Sequence, residues 1–237
     1  MDRHFDCLII GAGICGIDAA YHLKKYSPWA KFAILEGRSN LGGTWDLFKY
    51  PGLRSDSDMY TYSYSWKVWK APKMIADGKE ILDYLKEAAD EEGITDKIIF
   101  DAKVKKADWS SMDNKWHLEM GNGDALTCNV LIGCTGYYSY DKPFEPQFPG
   151  QEKFGGEIVH AQNYQSHHDD KLANKKVVIV GSGASAITIF PVVAKTAEHV
   201  TMVQRTPSYV ASFPEIDKSA NFINEKCPRF VVNWINM

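Results

Sequence analysis

The stretch that decides the fold is residues 7–16, which read CLIIGAGICG. A short apolar run ends there in Gly11-x-Gly13-x-x-Gly16, a helical pattern follows, and a second apolar run over residues 32–35 stops at Glu36. Glycines at this spacing permit a tight turn, close approach of a pyrophosphate, and close packing of a helix on a strand. The order strand, glycines, helix, strand and acid predicts a dinucleotide-binding unit in which Glu36 accepts a hydrogen bond from a ribose hydroxyl. The alternative is a glycine turn with only a structural role.

The same pattern recurs later in the chain. An apolar run over residues 177–180 leads into Gly181-Ser182-Gly183-Ala184-Ser185-Ala186, a helix predicted from Ile187 to Thr196, and a strand over 200–203. Gln204-Arg205-Thr206 then stands where the first unit has its acid. A carboxylate repels a 2′-phosphate, whereas an arginine pairs with it. The first unit therefore suits FAD or NAD and the second NADPH, and the alternative for Arg205 is an ordinary surface arginine.

The composition is that of an ordinary globular protein, with 237 residues, 45% hydrophobic residues, 24% charged residues and a net charge of −3. This charge provides no basic field for nucleic acid or an anionic membrane. No apolar stretch reaches the roughly 18 residues of a spanning helix, and the first strand begins too early for a signal peptide. We therefore expect a cytoplasmic protein without nucleic-acid or membrane partners. The five cysteines include no CxxC, which disfavours a disulfide reductase.

The segment after the first unit is rich in glycine and aromatic residues. Residues 37–58 are too irregular for a strand and too glycine-rich for a helix, so we expect a long, ordered, functional loop. Tyrosine and tryptophan then alternate over residues 60–66, with Trp69 beyond them, which predicts rings on one face of a strand. Such a face either packs in a core or lines a planar cofactor.

Residues 78–92 predict an amphipathic helix that buries Ile81, Leu82, Leu85 and Ala88 and ends at Gly93. Antiparallel strands are predicted at 98–105, 116–120 and 126–132, followed by a proline-rich linker at 137–150. The HHDD sequence at 167–170 is interpreted as a solvated loop, because no partner ligand for a metal lies at helical or hairpin spacing.

These elements predict an α/β fold of two dinucleotide-binding, Rossmann-like units, first FAD-type and then NADP-type, each with a parallel sheet plus a small antiparallel β-meander. The predicted divisions are an FAD-binding domain over residues 1–140, a linker over 141–174 and an NADP-binding domain over 175–237.

Several stretches resemble the class B flavoprotein monooxygenases, specifically their Baeyer–Villiger branch. Residues 42–60 (GGTWDLFKYPGLRSDSDMY) resemble the flavin loop, and Phe154-x-Gly156-x-x-x-His160 matches the superfamily's signature. Residues 136–141 and 203–209 resemble the subgroup of the ethionamide-activating monooxygenase. The signature departs at Tyr164, where the Baeyer–Villiger form has Trp, and there resembles the flavin-containing N- and S-oxygenases.

The resemblance implies FAD and NADPH as cofactors, and O2 with a small ketone, thioether or amine as substrates. It further implies that NADPH reduces FAD, that the reduced flavin takes up O2 as a C4a-peroxyflavin, and that one oxygen atom passes to the substrate. Relatives are much longer, so the resemblance also implies that the C-terminal part of the family fold is missing. An uncoupled NADPH oxidase or flavin reductase, and a non-catalytic nucleotide-binding fragment, stay open as alternatives.

The resemblance also assigns residues to roles. Asp56 is implied near the flavin and nicotinamide as a catalytic position, and His160 as a linker histidine that couples domain motion. Besides the first glycine motif and Glu36, it implies FAD contacts at Gly43, Thr44, Trp45, Asp46, Arg54, Asp56, Tyr62 and Val104. At NADP it implies Gly181, Ser182, Gly183, Ala184, Ser185, Ala186, Arg205 and Thr206. No metal site is predicted.

Overall fold

The computed structural model describes residues 3–212, 214–228 and 231–232. The chain forms two compact units, and each unit is assembled from two segments. The first comprises Met1–Leu47 and Leu82–Tyr138, and the second comprises Phe48–Ile81 and Ser139–Met237. The predicted cofactor domains stay a prediction, and residues 213, 229–230 and 233–237 of the last one lie outside the described residues.

The regular elements follow the predicted strand–helix–strand order. The helices are α1 (Ile14–Tyr26), α2 (Thr44–Leu47), α3 (Met59–Tyr62), α4 (Gly78–Glu91), α5 (Asp169–Leu172), α6 (Ala184–Val193) and α7 (Lys218–Lys226). The strands are β1 (His4–Ile10), β2 (Phe32–Leu35), β3 (Ile98–Ile99), β4 (Val104–Ser110), β5 (Lys115–Met120), β6 (Ala125–Gly133), β7 (Lys176–Val180) and β8 (His199–Val203). No helix in the described ranges is both long and apolar enough to cross a membrane.

The first unit is built on a six-stranded mixed sheet with the order β3-β2-β1-β6-β5-β4. β1 lies between two parallel neighbours, so that Ile10 pairs with Leu35 of β2 and with Gly133 of β6. The glycine turn that follows β1 therefore lies at the carboxyl edge of the parallel strands, where open α/β sheets bind their ligands.

The two faces of this sheet bury alternate residues of the same strands. Leu8 and Leu35 belong to a core cluster together with Leu118 of β5 and Cys128 of β6. Ile9 has the opposite orientation and is fully buried, and α1 packs against β1 and β2.

The predicted α/β class is confirmed as a mixed six-stranded sheet and a small parallel sheet. The antiparallel strands were expected as a meander beside a parallel sheet in each unit. In the first unit they extend the parallel sheet itself, because β6 pairs in parallel with β1 and antiparallel with β5. In the second unit, the strands of the described residues form only the parallel pair β7–β8, and isolated antiparallel bridges join Arg54 to Asp77 and Lys73 to Ile216.

The predicted helix at 78–92 is confirmed as α4, with Ile81, Leu82, Leu85 and Ala88 buried. Gly93 follows it at a φ of +61°, as a C-terminal glycine does. The second unit's helix was predicted at Ile187–Thr196 and is displaced, because α6 begins directly after Gly183.

The strand predicted over 98–105 is wrong, because the chain turns in its middle. Asp101 has a φ of +53°, and its N–H donates to the Arg38 carbonyl at 3.1 Å. The Ala102 N–H donates to the Glu36 carbonyl at 2.8 Å. These bonds end the parallel pairing after β3 and start the antiparallel pairing at β4.

The aromatic strand predicted over 60–66 is also wrong. Asp58 caps α3 there, and its Oδ1 accepts from the Thr61 N–H at 3.0 Å. An aspartate cap favours a helical turn over an extended strand. The predicted loop over residues 37–58 contains α2 and ends at the cap of α3, so it is not a loop throughout. Tyr60, Tyr64 and Trp69 are buried, as the packing interpretation expects.

The solvated loop predicted at 167–170 is wrong in conformation. A 3₁₀ turn, Ser166–His168, leads directly into α5. His168 is buried, and its ring Nδ1 lies 2.9 Å from both the backbone N and the carbonyl O of Gln165, which fixes the ring against its own turn.

Candidate functional site

The first glycine turn is packed too closely for side chains at two positions. Gly11 has a φ of +101°, and a Cβ on it would lie 2.4 Å from the carbonyl oxygen of Cys134. A Cβ on Gly16 would lie 1.9 Å from the carbonyl oxygen of Gly11. These glycines therefore let β1, α1 and the end of β6 approach each other, which is the packing role that the spacing predicts.

The opening of this turn is bordered by backbone. Gly13 is the N-cap of α1, and among the described residues no side chain caps this helix and no acidic residue lies in its first turn. A Cβ on Gly13 would lie 3.6 Å from the Cα of Gly43, so two glycines face each other here. A helix N-terminus of this kind presents its positive dipole end and its first N–H groups to an anion.

Glu36 lies beside this turn and is only 4% exposed. Its Oε2 accepts from the Ala12 N–H at 2.8 Å, and its Oε1 accepts from the Arg38 N–H at 2.9 Å. The sequence predicted only a ribose contact for Glu36. These two backbone hydrogen bonds, which join the turn to the end of β2, were not predicted. A carboxylate has about four acceptor positions, so capacity remains for ribose hydroxyls.

Arg38 is the residue at this site that the sequence analysis missed. Its Nη2 lies 2.7 Å from Oδ2 of the buried Asp46, and its Nη1 donates to the Gly43 carbonyl at 3.5 Å. It therefore holds the Gly43–Asp46 segment against the end of β2. The available signal was a basic residue two positions after Glu36 and a buried acid in the following loop.

The other residues of the first unit that we expect to contact FAD lie near the Arg38–Asp46 ion pair. Thr44 and Trp45 are the half-buried first residues of α2, and the Gly42 N–H donates to the Ala12 carbonyl at 2.9 Å. Val104 opens β4 opposite Met120, two residues after the Ala102 amide that bonds to Glu36. Residues 43–46 therefore contact Arg38, and the chain that leads into Val104 contacts the backbone of Glu36.

The second glycine turn has the same strand–turn–helix arrangement as the first, but the surroundings of its glycines are less crowded. Gly181 has a φ of +117°, and its N–H donates to the Val203 carbonyl at 2.8 Å. A Cβ on Gly181 or on Gly183 would meet nothing within 4 Å. Gly183 is the N-cap of α6, and in the described part of the chain no side chain caps this helix and no acid lies in its first turn. Ala184 is exposed, Ser185 is half-buried and Ala186 is buried.

Arg205 and Thr206 follow β8 and lie next to this turn. The Ser182 hydroxyl donates to the Thr206 carbonyl at 3.2 Å, and the Ser208 hydroxyl donates to the Ser182 carbonyl at 2.8 Å. Arg205 is exposed and forms no ion pair with a described residue. Within the described ranges, a cation without an ion-pair partner therefore lies beside a helix N-terminus that no side chain caps, and this arrangement suits a phosphate.

Arg54, Asp56 and Tyr62 belong to the second unit together with this turn. The segment that leads to them packs on α6, because a Cβ on Gly52 would lie 2.6 Å from the Thr188 carbonyl oxygen. The capping role that competes with a flavin role for Asp56 is filled by Asp58. Asp56 is exposed, and its carboxylate makes no hydrogen bond within the described ranges.

His160 lies in the signature segment, where its Nδ1 accepts from the Gln162 N–H at 3.1 Å. Gln162 in turn donates to the Ser139 carbonyl at 2.7 Å. The buried Tyr164 donates its hydroxyl to Asp169 at 2.6 Å, and burial followed by this bond raises the pKa of the tyrosine. The tyrosine hydroxyl thus ties the signature segment to α5.

Comparison with known proteins places these features in a family. The profile of a family described as pyridine nucleotide-disulphide oxidoreductase matches residues 8–221. The chain is 45% identical over 240 residues to the FAD-containing monooxygenase EthA of Mycolicibacterium smegmatis, covering 100% of this chain and 48% of the relative. It is 47% identical over 222 residues to the probable FAD-binding monooxygenase AlmA of Acinetobacter baylyi, covering 92% and 44%.

A solved structure of an oxidised steroid monooxygenase bound to NADP superposes with a TM-score of 0.77 at 30% identity, covering 87% of this chain and 39% of that one. The chain spans about half the length of the curated relatives it matches.

Proposed function

Because the chain belongs to the pyridine nucleotide-disulphide oxidoreductase family, and within it to the class B flavoprotein monooxygenases, we propose that it carries the FAD site and the phosphate-binding part of the NADPH site of a monooxygenase. The observation that carries this proposal is a contrast between two uncapped glycine turns. The first lies beside the buried Glu36 and the second beside the exposed Arg205.

In this proposal, FAD occupies the first turn. The N–H groups between Gly11 and Gly16 bind its pyrophosphate, and the remaining acceptor capacity of Glu36 binds the ribose. Arg38 and Asp46 keep the Gly43–Asp46 segment in place beside the turn. When bound, FAD supplies the redox chemistry, accepting a hydride and activating O2.

NADPH occupies the second turn, with residues 182–186 at its pyrophosphate. Arg205 pairs with the 2′-phosphate, and the Thr206 segment, held by Ser182, borders the same group. A charge-assisted pair of this kind is worth on the order of 1.5–3 kcal/mol, which corresponds to about tenfold or more in affinity. NADPH is therefore preferred over NADH.

Asp56, whose carboxylate no described residue pairs with, orients a cation near the reacting groups, whereas His160 positions the linker. The substrate is a small ketone, which receives an oxygen atom beside its carbonyl carbon, or a thioether or amine, which is oxygenated at sulfur or nitrogen. The sequence identity to FAD-containing monooxygenases and the absence of a CxxC pair from the sequence support a monooxygenase over a disulfide reductase.

A second candidate function is an NADPH oxidase that releases hydrogen peroxide. Val178, Val180 and Val203 are 57%, 61% and 50% exposed on one face of the β7–β8 pair. Parallel strands are normally covered on both faces. Because this face is exposed in the chain as given, we expect the reacting groups to be incompletely shielded from water, which favours the release of peroxide.

The test is to purify the 237-residue chain, measure its flavin content, and follow NADPH, peroxide and product with a simple ketone and a thioether. We expect partial FAD loading and NADPH consumption that yields mostly peroxide. Product formed at the rate of NADPH loss would contradict the oxidase, and a colourless protein without NADPH turnover would contradict both candidates.

A further inference from the structure

Tyr50 belongs to the stretch that resembles a flavin loop, but its side chain lies at the second glycine turn. Its hydroxyl oxygen lies 3.3 Å from the hydroxyl oxygen of Ser185, which is the second residue of α6. Both residues belong to the second unit. A side chain of the predicted flavin loop therefore contacts the helix end that we expect at the NADPH pyrophosphate.

This contact is one of several along a single face of α6. Gly52 packs against the same helix, because a Cβ on it would lie 2.6 Å from the carbonyl oxygen of Thr188. The same Cβ would lie 2.9 Å from Cγ2 of Val192. Positions 185, 188 and 192 are three and four residues apart, so they lie on one side of the helix. The segment over residues 50–52 therefore lies along α6 from its first turn onward.

The hydroxyl of Tyr50 differs from those of two other buried tyrosines in this unit. Tyr60 donates to an amide oxygen at 2.5 Å, and Tyr164 donates to a carboxylate at 2.6 Å. Tyr50 is only 8% exposed, and it shares a single hydrogen bond with Ser185. Among the described residues, neither hydroxyl of this pair has another partner. Two hydroxyl protons serve one bond, so one of them has no acceptor in the described part of the chain.

A buried hydroxyl proton without an acceptor is unfavourable, and an oxygen atom of a bound ligand would remove this cost. The pair lies in the first turn of α6, a turn that contains no acidic residue and begins at the N-cap Gly183. The N–H groups of such a helix end favour an anion. A hydroxyl donor beside them favours the same kind of ligand.

We propose that Tyr50 is a further ligand of NADPH, in which the Tyr50 hydroxyl donates to the pyrophosphate while Ser185 donates to Tyr50. The inference rests on the proposed function, since it needs the nucleotide at the second turn. Tyr50 supplies a donor from outside the glycine motif, and the motif spacing gives no indication of it.

The contact also gives NADPH an effect on the neighbouring loop. A nucleotide bound by Tyr50 holds residues 50–52 against α6, and this segment leads directly into Arg54 and Asp56. Bound NADPH therefore positions the segment that carries Asp56, and Tyr50 is the residue through which it does so.

The first experiment titrates NADP+ and adenosine 2′-monophosphate into the purified chain by calorimetry. Both ligands carry the 2′-phosphate, but only NADP+ carries the pyrophosphate. Tyr50→Phe should weaken NADP+ binding at least about tenfold, as expected for the loss of a hydrogen bond to a charged group. It should leave the affinity for adenosine 2′-monophosphate unchanged, whereas Arg205→Ala should weaken both ligands. Phe keeps the ring contact of Tyr50 with Phe48, so the variant should fold.

Tyr60→Phe is the matched control, because it removes a buried tyrosine hydroxyl of the same unit that already has an acceptor in the protein. It should leave NADP+ affinity unchanged. Ser185→Ala should weaken NADP+ binding less than Tyr50→Phe does, because Tyr50 keeps its own proton. Equal NADP+ affinity in Tyr50→Phe and the parent would overturn the proposal, as would an equal loss in Tyr60→Phe or a larger loss in Ser185→Ala.

The second experiment measures backbone hydrogen exchange with and without saturating NADP+. In the parent, NADP+ should slow exchange at residues 181–186 and at residues 50–56. In Tyr50→Phe, the protection of residues 181–186 should remain and that of residues 50–56 should be lost. Protection of residues 50–56 that persists in Tyr50→Phe would overturn the effect on the loop. A parent chain that neither binds NADP+ nor gains protection at residues 181–186 would instead contradict the proposed function on which this inference rests.

Discussion

The two glycine turns share a sequence pattern but differ in their surroundings. In the first, a Cβ on Gly16 would lie 1.9 Å from a carbonyl oxygen, and Glu36 is buried with two backbone bonds. In the second, a Cβ on Gly183 would meet nothing within 4 Å, and Arg205 is exposed. Similar motifs can therefore depend on glycine for different reasons, packing in one case and ligand access in the other.

The difference follows from the sheets. β1 has a parallel neighbour on each side, so the end of β6 presses on its turn. Within the described residues, β7 has only β8 beside it, and no third strand borders its turn. The first turn is thus rigid because it is enclosed, and the second depends on the segment after β8 for its support.

The largest effect is expected from Gly16→Ala. The added methyl group must displace the Gly11 carbonyl, and overpacking this severe against backbone costs about 3 kcal/mol of unfolding free energy or more. FAD affinity should fall at least about tenfold. Gly183→Ala is the matched control and should change stability by less than about 0.5 kcal/mol. Denaturant unfolding of both variants checks this, and equal losses would contradict the contrast between the turns.

Arg38→Ala should have the next largest effect. It leaves the buried Asp46 without its cation, and a hydrogen bond to a charged group contributes about 1.5–3 kcal/mol. We expect lower stability and weaker FAD binding, with partial recovery in Arg38→Lys. Thermal unfolding and flavin titration measure both quantities. Arg3→Ala removes an exposed arginine of the same unit and serves as a control for general charge loss. An equal effect there would remove the specific role of Arg38.

Arg205→Ala should reduce NADPH affinity about tenfold and leave NADH affinity nearly unchanged, because only NADPH carries the 2′-phosphate. Stability should hardly move, since Arg205 is exposed. Calorimetric titration with both nucleotides provides the measurement. Equal losses for NADPH and NADH would indicate a structural role for this arginine.

The smallest effect is expected when the stability changes caused by substituting two neighbouring aspartates, Asp58 and Asp56, are compared. Asp58→Ala removes the cap of α3 and should cost about 1 kcal/mol of stability. Asp56→Ala should change stability by less than about 0.5 kcal/mol while slowing flavin reduction in a full-length context. Comparable destabilisation by both changes, with normal reduction kinetics in Asp56→Ala, would assign Asp56 to the local fold.

Much of this architecture was predictable because it depends on local spacing. The glycines after β1 and β7, and the inward face of α4, follow from the periodicity of apolar residues and from turn chemistry. The break at Asp101 was not predictable, because it comes from hydrogen bonds to Glu36 and Arg38, which lie more than sixty residues earlier in the chain. The helix at residues 59–62 was not predicted, because the alternating aromatic residues favour a strand and Asp58 is a single capping residue that favours a helix.

The site shows the same limit. Glu36 was identified by its position after β2, but its bonds to Ala12 and Arg38 depend on the folded turn. Arg38 and Asp46 lie in a segment that no single helix or strand spans, so no helix or strand periodicity relates their positions or predicts that they meet. Their pairing depends on the folded position of this segment, in which the Gly42 N–H donates to the Ala12 carbonyl.

The central claim is that the first turn binds FAD and the second binds NADPH. Calorimetric titration of the purified chain with FAD and with NADPH, repeated on Glu36→Gln and Arg205→Ala, tests it most directly. We predict that Glu36→Gln weakens FAD binding alone and that Arg205→Ala weakens NADPH binding alone, with both variants folded by circular dichroism. Unchanged FAD affinity in Glu36→Gln, or a loss of both nucleotides in either variant, would contradict the assignment.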